Sequence, residues 1–234
     1  MKEIQYYQTT EEEILSKKKN IFIAICLGNK FFLNKDKSLN KENMLNYIHW
    51  ALENTKDKLL IVIADEIQLT NYIVRNKNSV ERNIQRIRDE SKIIESDLNE
   101  IISTLSKKQQ EKIKVIKRKT YEEEDEFYKK TVDIVYQEFN SNEFFKATLF
   151  EVTKKTVNDR NFTNEEYTKL CKYVLDEFSL IYSGVRIDNI HYDCLLYPYM
   201  DPTGYFFEEI KNKKIFVEIE KKLPSEKVAY VIKK

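Results

Sequence analysis

The stretch IFIAICLGNKFF, Ile21 to Phe32, decides how the chain folds. Its first five residues are apolar on both faces and mostly β-branched. That is the pattern of a central strand in a parallel sheet covered on both sides. The run stops at Cys26 and passes through Gly28, the first glycine of the chain, to Asn29. Phe22, Ala24 and Cys26 are spaced by two, so they share a face with Cys26 at the mouth. A thiol there can attack a carbonyl, and Gly28 with the backbone after the strand can offer amide donors to an oxyanion. The same cysteine also reads as a small buried hydrophobe.

Outward from this strand, the pattern alternates. Asn40–Glu53 carries Met44, Tyr47, Ile48 and Leu52 at helical spacing. KLLIVIA, Lys58 to Ala64, is a second buried strand, ended by Asp65. Ser79–Leu105 is one long amphipathic helix, with Val80, Ile84, Ile87, Ile94, Leu98 and Ile101 on its apolar stripe. A short strand, Ile113–Ile116, follows between lysines. Helices are predicted over Glu122–Asn140, Glu143–Thr156 and Asn164–Ser183, the last with Asn164 as N-cap and Gly184 as stop. KIFVEIE, Lys214 to Glu220, reads as an edge strand. Strand, helix, strand, helix, strand predicts an α/β fold: a Rossmann-like doubly wound parallel sheet flanked by helices. Residues 1–234 are expected to form a single domain, with ligands at the carboxyl ends of the strands, where Cys26 and Asp65 both lie.

The bulk numbers agree. Only three glycines and three prolines among 234 residues disfavour an all-β sandwich, which needs many tight turns. The net charge of +1 means that any polyanion must be held by a local patch. Cys26, Cys171 and Cys194 show no CxxC spacing, and His49 and His191 have no second ligand at metal spacing, so no metal is expected. No apolar run approaches the roughly 20 residues of a membrane span, and the first residues do not read as a signal peptide. The expectation is a cytoplasmic monomer without membrane contact.

Three further groups can carry chemistry. Tyr173 and Glu177 are four apart on a predicted helix, so a phenol and a carboxylate share a face and can hold an ammonium and move a proton. A solvated Glu beside a core Tyr fits the same spacing, and Asp176 should point to solvent. Tyr197 precedes Pro198, which holds it extended. It is either a fixed proton relay or an aromatic plug. The third group is basic: Arg82, Arg86, Arg88 and Lys92 on the long helix, then Lys107, Lys108, Lys112, Lys114, Lys117, Arg118 and Lys119. A phosphate backbone needs such a patch, although a charge run is also an ordinary solvated face.

Taken together, ICLGNKFF, VIADE, the NY of QLTNY, YVLDE and LLYPY resemble the cyclodipeptide synthases over roughly residues 20 to 215. The resemblance implies a domain similar to the catalytic domain of class I tyrosyl- and tryptophanyl-tRNA synthetases, acting without ATP or metal. It implies two aminoacyl-tRNAs as partners, joined by a ping-pong route through an aminoacyl-enzyme and a dipeptidyl-enzyme. The second aminoacyl-tRNA would supply the attacking amine. Cys26 falls where the family has its nucleophilic serine. Tyr173 and Glu177 fall on the anchors of the aminoacyl amine, and Tyr197 on the proton-relay tyrosine. Asn29 and Pro198 fall on positions that separate two subfamilies, and this chain mixes the two patterns. Phe22 and Ala24 would line the first aminoacyl pocket, with Gly28 and Asp65 near the substrate and the basic residues on tRNA. Two other classes stay open: a non-catalytic tRNA-binding module, and an unrelated Rossmann-like transferase. A nucleotide cofactor for the latter is disfavoured because Gly28 stands alone, with no GxGxxG or GxxxxGK[ST].

Overall fold

In the computed structural model, which describes residues 4–76, 78–156, 162–199 and 228–233, the decisive stretch is a central strand. The strands are β1 (Ile4–Tyr7), β2 (Ile21–Cys26), β3 (Leu59–Ala64), β4 (Ile113–Lys117), β5 (Val185–Ile187), β6 (Ile190–Tyr192), β7 (Cys194–Tyr197) and β8 (Ala229–Lys233). The helices are α1 (Glu11–Leu15), α2 (Lys41–Asn54), α3 (Leu69–Asn76), α4 (Val80–Ser103), α5 (Lys107–Gln110), α6 (Arg118–Glu124), α7 (Glu126–Ser141), α8 (Glu143–Thr156) and α9 (Asn164–Ser183).

Six strands form one sheet in the order β1-β8-β7-β2-β3-β4. Neighbours are parallel from β8 to β4, and β1 runs antiparallel on the edge. The sheet is the predicted Rossmann-like one, with five parallel strands, and the antiparallel edge strand β1 makes it mixed. Both faces are covered, and the side-chain period of two sorts the strands between two cores. Phe22, Ala24, Cys26, Leu60, Val62 and Ala64 belong to one. Ile21, Ile23, Ile25, Leu59, Ile61 and Ile63 belong to the other. A one-residue slip of β2 would exchange the two sets and carry Cys26 to the wrong face.

The chain leaves β2 for β3 and β4 on one side and returns to β7 on the other, so the strand order reverses between β2 and β7. Ligands of open α/β sheets bind at such a point, beyond the carboxyl ends of the strands. Here the paired residues are Ile21 with Cys194 and Phe22 with Leu195. Pairing stops four residues short of Cys26 and two short of Tyr197, and the strands part towards those ends.

α9 is the helix that faces this crevice. Its N-cap is Thr163, one residue before the predicted Asn164. The Thr163 hydroxyl accepts from the Glu166 amide at 3.2 Å, and the Glu166 carboxylate accepts from the Thr163 amide at 2.8 Å. It packs on α3, α7 and α8 and buries residues around most of its circumference, which fixes its roll. The predicted helix over Glu122–Asn140 is two, because Asp125 breaks the run. Its carboxylate caps α7 at the Phe127 and Tyr128 amides, 3.0 Å each, and accepts from the Arg186 amide at 2.7 Å. The predicted edge strand over Lys214–Glu220 lies outside the described residues. Among the described residues, no helix is long and apolar enough to cross a membrane.

Gly184 ends α9 at φ 64° and ψ −158°, a region open in practice only to glycine. A Cβ there would meet the Tyr192 carbonyl oxygen at 2.4 Å. Gly184→Ala is expected to lower unfolding free energy by at least about 2 kcal/mol, read by denaturant titration. An unchanged midpoint would contradict this account of the helix stop.

Candidate active site

Four elements bring the site together. β2 delivers Cys26, the turn Glu66–Gln68 after β3 delivers Gln68, α3 delivers Asn71, and α9 delivers Tyr173 and Glu177. The Cys26 thiol points its hydrogen at Glu177 Oε1, a long sulfur contact of 3.9 Å. The Tyr173 hydroxyl donates to the same oxygen at 3.3 Å. Gln68 Nε2 donates to the Tyr173 oxygen at 3.5 Å, and Asn71 Nδ2 donates to Gln68 Oε1 at 3.0 Å. All five side chains are buried. A buried carboxylate is tolerated only when donors hold it, and here the thiol and the phenol converge on one oxygen. The i, i+4 spacing on α9 thus puts the phenol and the carboxylate on one face, and Glu177 is not solvated.

The other two thiols differ. Cys194 is fully buried among aliphatic side chains, and burial pushes its thiol well up. Cys171 faces the Thr153 hydroxyl at 3.4 Å and is pushed up to about 11, chiefly by burial. Among the described residues, Cys26 is the thiol that both ends a strand and hydrogen-bonds a carboxylate.

The other predicted residues are placed as follows. Phe22 and Ala24 lie on the Cys26 face, in the same core cluster as Tyr173 and Tyr197. Tyr197 ends β7, the next strand over, with its ring packed on Tyr199 and Tyr230 at 5.3 and 6.3 Å between centroids. Pro198 follows it and is buried. Asn29 shapes the turn after β2. Its Oδ1 accepts from the Phe31 and Phe32 amides at 2.9 and 3.3 Å, and its own amide donates to Cys26 O at 2.9 Å. That last bond removes the Asn29 amide from the donors open to an oxyanion. Gly28 is exposed, and a Cβ on it would lie 3.8 Å from Gln68, an ordinary contact, so neither space nor backbone conformation demands glycine there. Asp65 holds the turn instead of facing a ligand. It accepts from the Glu66 amide and from Ser91 Oγ, both at 2.9 Å, and its carbonyl accepts from the Gln68 amide at 3.2 Å. Gln68 itself is missed by sequence reasoning. It sits two residues after the quoted VIADE, and only the fold shows that its amide reaches α9.

The basic run does not form one patch. Arg118 is a core residue: Nη2 donates to Asp176 at 2.9 Å and Nε to Glu122 at 2.5 Å. Asp176, expected to face solvent, is half-buried and also accepts from Tyr136 at 3.0 Å. Burial opposes the Arg118 charge, but Tyr121, Tyr128, Asp176 and Glu122 around it push its proton affinity above the ordinary guanidinium value. Lys114, Lys117 and Lys119 pair with Asp188, Glu95 and Glu123 at 2.5, 2.8 and 3.5 Å. Lys107, Lys108 and Lys112 precede β4, whose first residue is level with Leu59, so they lie at the amino edge of the sheet, opposite Cys26. What remains near the carboxyl edge is the first half of α4. Arg82, Arg88 and Lys92 are exposed there without an acidic partner among the described residues, and Arg86 is bonded to Glu90 at 2.8 Å.

Two outcomes check these placements. Iodoacetamide on the folded protein is expected to modify Cys26 before Cys171 or Cys194, read by peptide mass spectrometry. Equal rates at all three would refute the distinction. Arg118→Gln is expected to cost about 3 kcal/mol of stability, because it removes the buried cation that Asp176 and Glu122 share. A loss under about 0.5 kcal/mol would return Arg118 to the surface class.

No family model matches the chain, and no curated protein matches it. Solved structures do. A CDPS from Staphylococcus haemolyticus superposes with a TM-score of 0.72 at 18% identity, covering 100% of this chain and 98% of that one. A Mycobacterium tuberculosis protein, described as showing that cyclodipeptide synthetases are related to type I tRNA synthetases, gives 0.73 at 12% identity over 98% and 91%. A cyclodipeptide synthase from Candidatus Glomeribacter gigasporarum, solved bound to Phe-tRNAPhe, gives 0.54 at 14% identity over 91% and 86%. The fold of this chain is therefore that of these solved cyclodipeptide synthases.

Proposed function

We propose that the chain is a cyclodipeptide synthase that condenses the aminoacyl groups of two aminoacyl-tRNAs into a 2,5-diketopiperazine on Cys26. One observation carries this reading: a strand-tip thiol and a helix phenol meet on a single buried carboxylate oxygen, at 3.9 and 3.3 Å, beside the point where strand order reverses. The shared fold supports it.

In the first step Cys26 Sγ attacks the ester carbonyl of an aminoacyl-tRNA. A C–S bond forms, the C–O bond to the terminal ribose breaks, and the thiol proton passes by way of Glu177 to the departing ribose oxygen. The ester is already activated, so the transfer to sulfur needs no ATP and no metal. Tyr173 and Glu177 hold the ammonium of the bound aminoacyl group and take its proton, since only the neutral amine attacks. That amine then adds to the carbonyl of the second aminoacyl-tRNA, an amide forms, and the second ribose oxygen leaves with the proton. The dipeptide stays on sulfur. Attack in the other sense, by the amine of the second aminoacyl-tRNA on the thioester, would leave the dipeptide on tRNA. Atom balance therefore reverses the expected direction of this step. Finally the free amine of the dipeptide attacks the thioester carbonyl, the C–S bond breaks, and the thiol regains a proton. Tyr197 relays protons from the neighbouring strand end, and Phe22 and Ala24 line the first side-chain pocket.

Expression in bacteria followed by mass spectrometry of the medium is expected to show a diketopiperazine absent from an empty-vector control. Cys26→Ala should abolish it, and Glu177→Gln should reduce it at least about a hundredfold. Intact-protein mass after mixing with aminoacyl-tRNA should show one aminoacyl group on Cys26. Folded protein that binds tRNA but gives neither adduct nor product would instead be a non-catalytic module.

A further inference from the structure

α9 carries two neighbouring acids, Asp176 and Glu177, and the fold gives each its own donors. Glu177 meets the Cys26 thiol and the Tyr173 hydroxyl. Asp176 stands about 100° away round the helix. It accepts from Arg118 Nη2 at 2.9 Å and from the Tyr136 hydroxyl at 3.0 Å. Rolling the helix by that angle would exchange the two acids.

Arg118 is placed by the sheet. Lys117 ends β4 level with Ile63, and Ala64, the next residue of β3, is level with Cys26. α6 therefore starts at the height of the thiol, two strand spacings or about 10 Å across the sheet. It packs on β3 and on the Glu66–Gln68 turn. One turn on, Tyr121 is fully buried in the core cluster that holds Cys26 and Tyr173. Arg118 is 7% exposed, and its guanidinium is shared between Glu122 of its own helix and Asp176 of α9. A guanidinium presents its donors in a rigid plane, so the acids bonded to it are fixed in angle as well as distance. The Tyr136 hydroxyl, from α7, holds the second Asp176 oxygen. Apolar packing limits the roll of α9, and these directional bonds select the angle within that limit.

We propose that Arg118 and Asp176 are positioning residues for the thiol–acid centre: their buried ion pair between α6 and α9 sets the roll of α9 at which Glu177, and not Asp176, faces Cys26. Neither residue is asked to touch the reacting atoms. This rests on the function proposed above, and it gives Arg118, a member of the basic run, a task inside the protein. Replacing one partner strands the other, so a single removal mixes lost folding with lost positioning. The pair has to be replaced together.

Arg118→Met/Asp176→Leu removes both charges and is expected to keep a denaturation midpoint near that of wild type, since apolar side chains of similar volume often replace a buried ion pair without loss. Arg118→Lys is the second variant: it keeps the buried charge and loses the fork. Alkylation of Cys26 by iodoacetamide at neutral pH, read by peptide mass spectrometry, reports where Glu177 lies, because a carboxylate beside a thiol disfavours the thiolate. The rate is expected to rise at least about threefold in Glu177→Gln and in both variants. Adding Glu177→Gln to either variant should raise it no further than Glu177→Gln alone, which is the signature of residues that act through one another. With aminoacyl-tRNA at saturation, both variants should acylate Cys26 at least about tenfold more slowly while half-saturation stays unchanged. A wild-type alkylation rate in the folded variants, a rise that adds to that of Glu177→Gln, or unslowed acylation overturns the proposal, since a merely structural pair gives those results. Coupled alkylation in a protein that makes no diketopiperazine would leave the positioning standing and sink the synthase reading, so the two failures are distinguishable.

Discussion

Glu177 is a carboxylate that the fold has taken out of water, and its two close donors explain why it is tolerated there. Burying such a charge without partners costs several kcal/mol, so the thiol of Cys26 and the hydroxyl of Tyr173 are structural necessities as well as chemical assets. The geometry is strict. Cys26 must project to one side of β2, α9 must present the face that carries Tyr173 and Glu177, and the two elements must meet where β2 and β7 part. A register slip in the strand or a quarter-turn of the helix would take the thiol or the phenol away from the buried acid, and that loss favours the arrangement in which strand and helix are both in place.

Much of this was legible because it is local. The period of two in Ile21–Cys26 assigns Phe22, Ala24 and Cys26 to one face before any tertiary contact is known, and the two cores of the folded chain divide the strands along that line. The i, i+4 pair on α9 was equally visible, as was the glycine stop at Gly184. What escaped is what depends on partners distant in sequence. β1 and β8 are short: β8 becomes a strand by pairing with β7, and β1 by pairing with β8 across the length of the chain. Gln68 looks like any polar residue in a turn until α9 arrives above it. The antiparallel edge that makes the sheet mixed has the same origin: nothing in Ile4–Tyr7 states its direction.

The basic run shows why a charge count misleads. Read along the sequence, Lys107 to Lys119 is one positive block with a single acid in it. In the fold, a strand and a helix start divide it, and its members meet acids from elsewhere: Arg118 meets Asp176, Lys114 meets Asp188, Lys117 meets Glu95. Conversely, a cationic cleft is assembled from the turn after β2, the end of α3 and one side of α4, three segments whose charges look unremarkable singly. A phosphate backbone responds to the field at a surface, and that field belongs to the fold.

A thiol at this site also suits the surroundings that the fold supplies. Both histidines lie outside the cluster, so in the proposed reaction proton handling near residue 26 would fall to a carboxylate, a phenol and their amide neighbours. An alcohol nucleophile would ask more of such a set than a thiol does, since thiols as a class are far more acidic and more nucleophilic. A thioester is in turn a good acyl donor to an amine. In the proposed reaction, cyclisation would need only that the dipeptide's free amine fold back on the carbonyl held at the strand tip. β2 and β7 stop pairing four residues before Cys26, and the aromatic end of β7 follows that parting, so the same feature of the sheet frees the tip of β2 that carries the thiol.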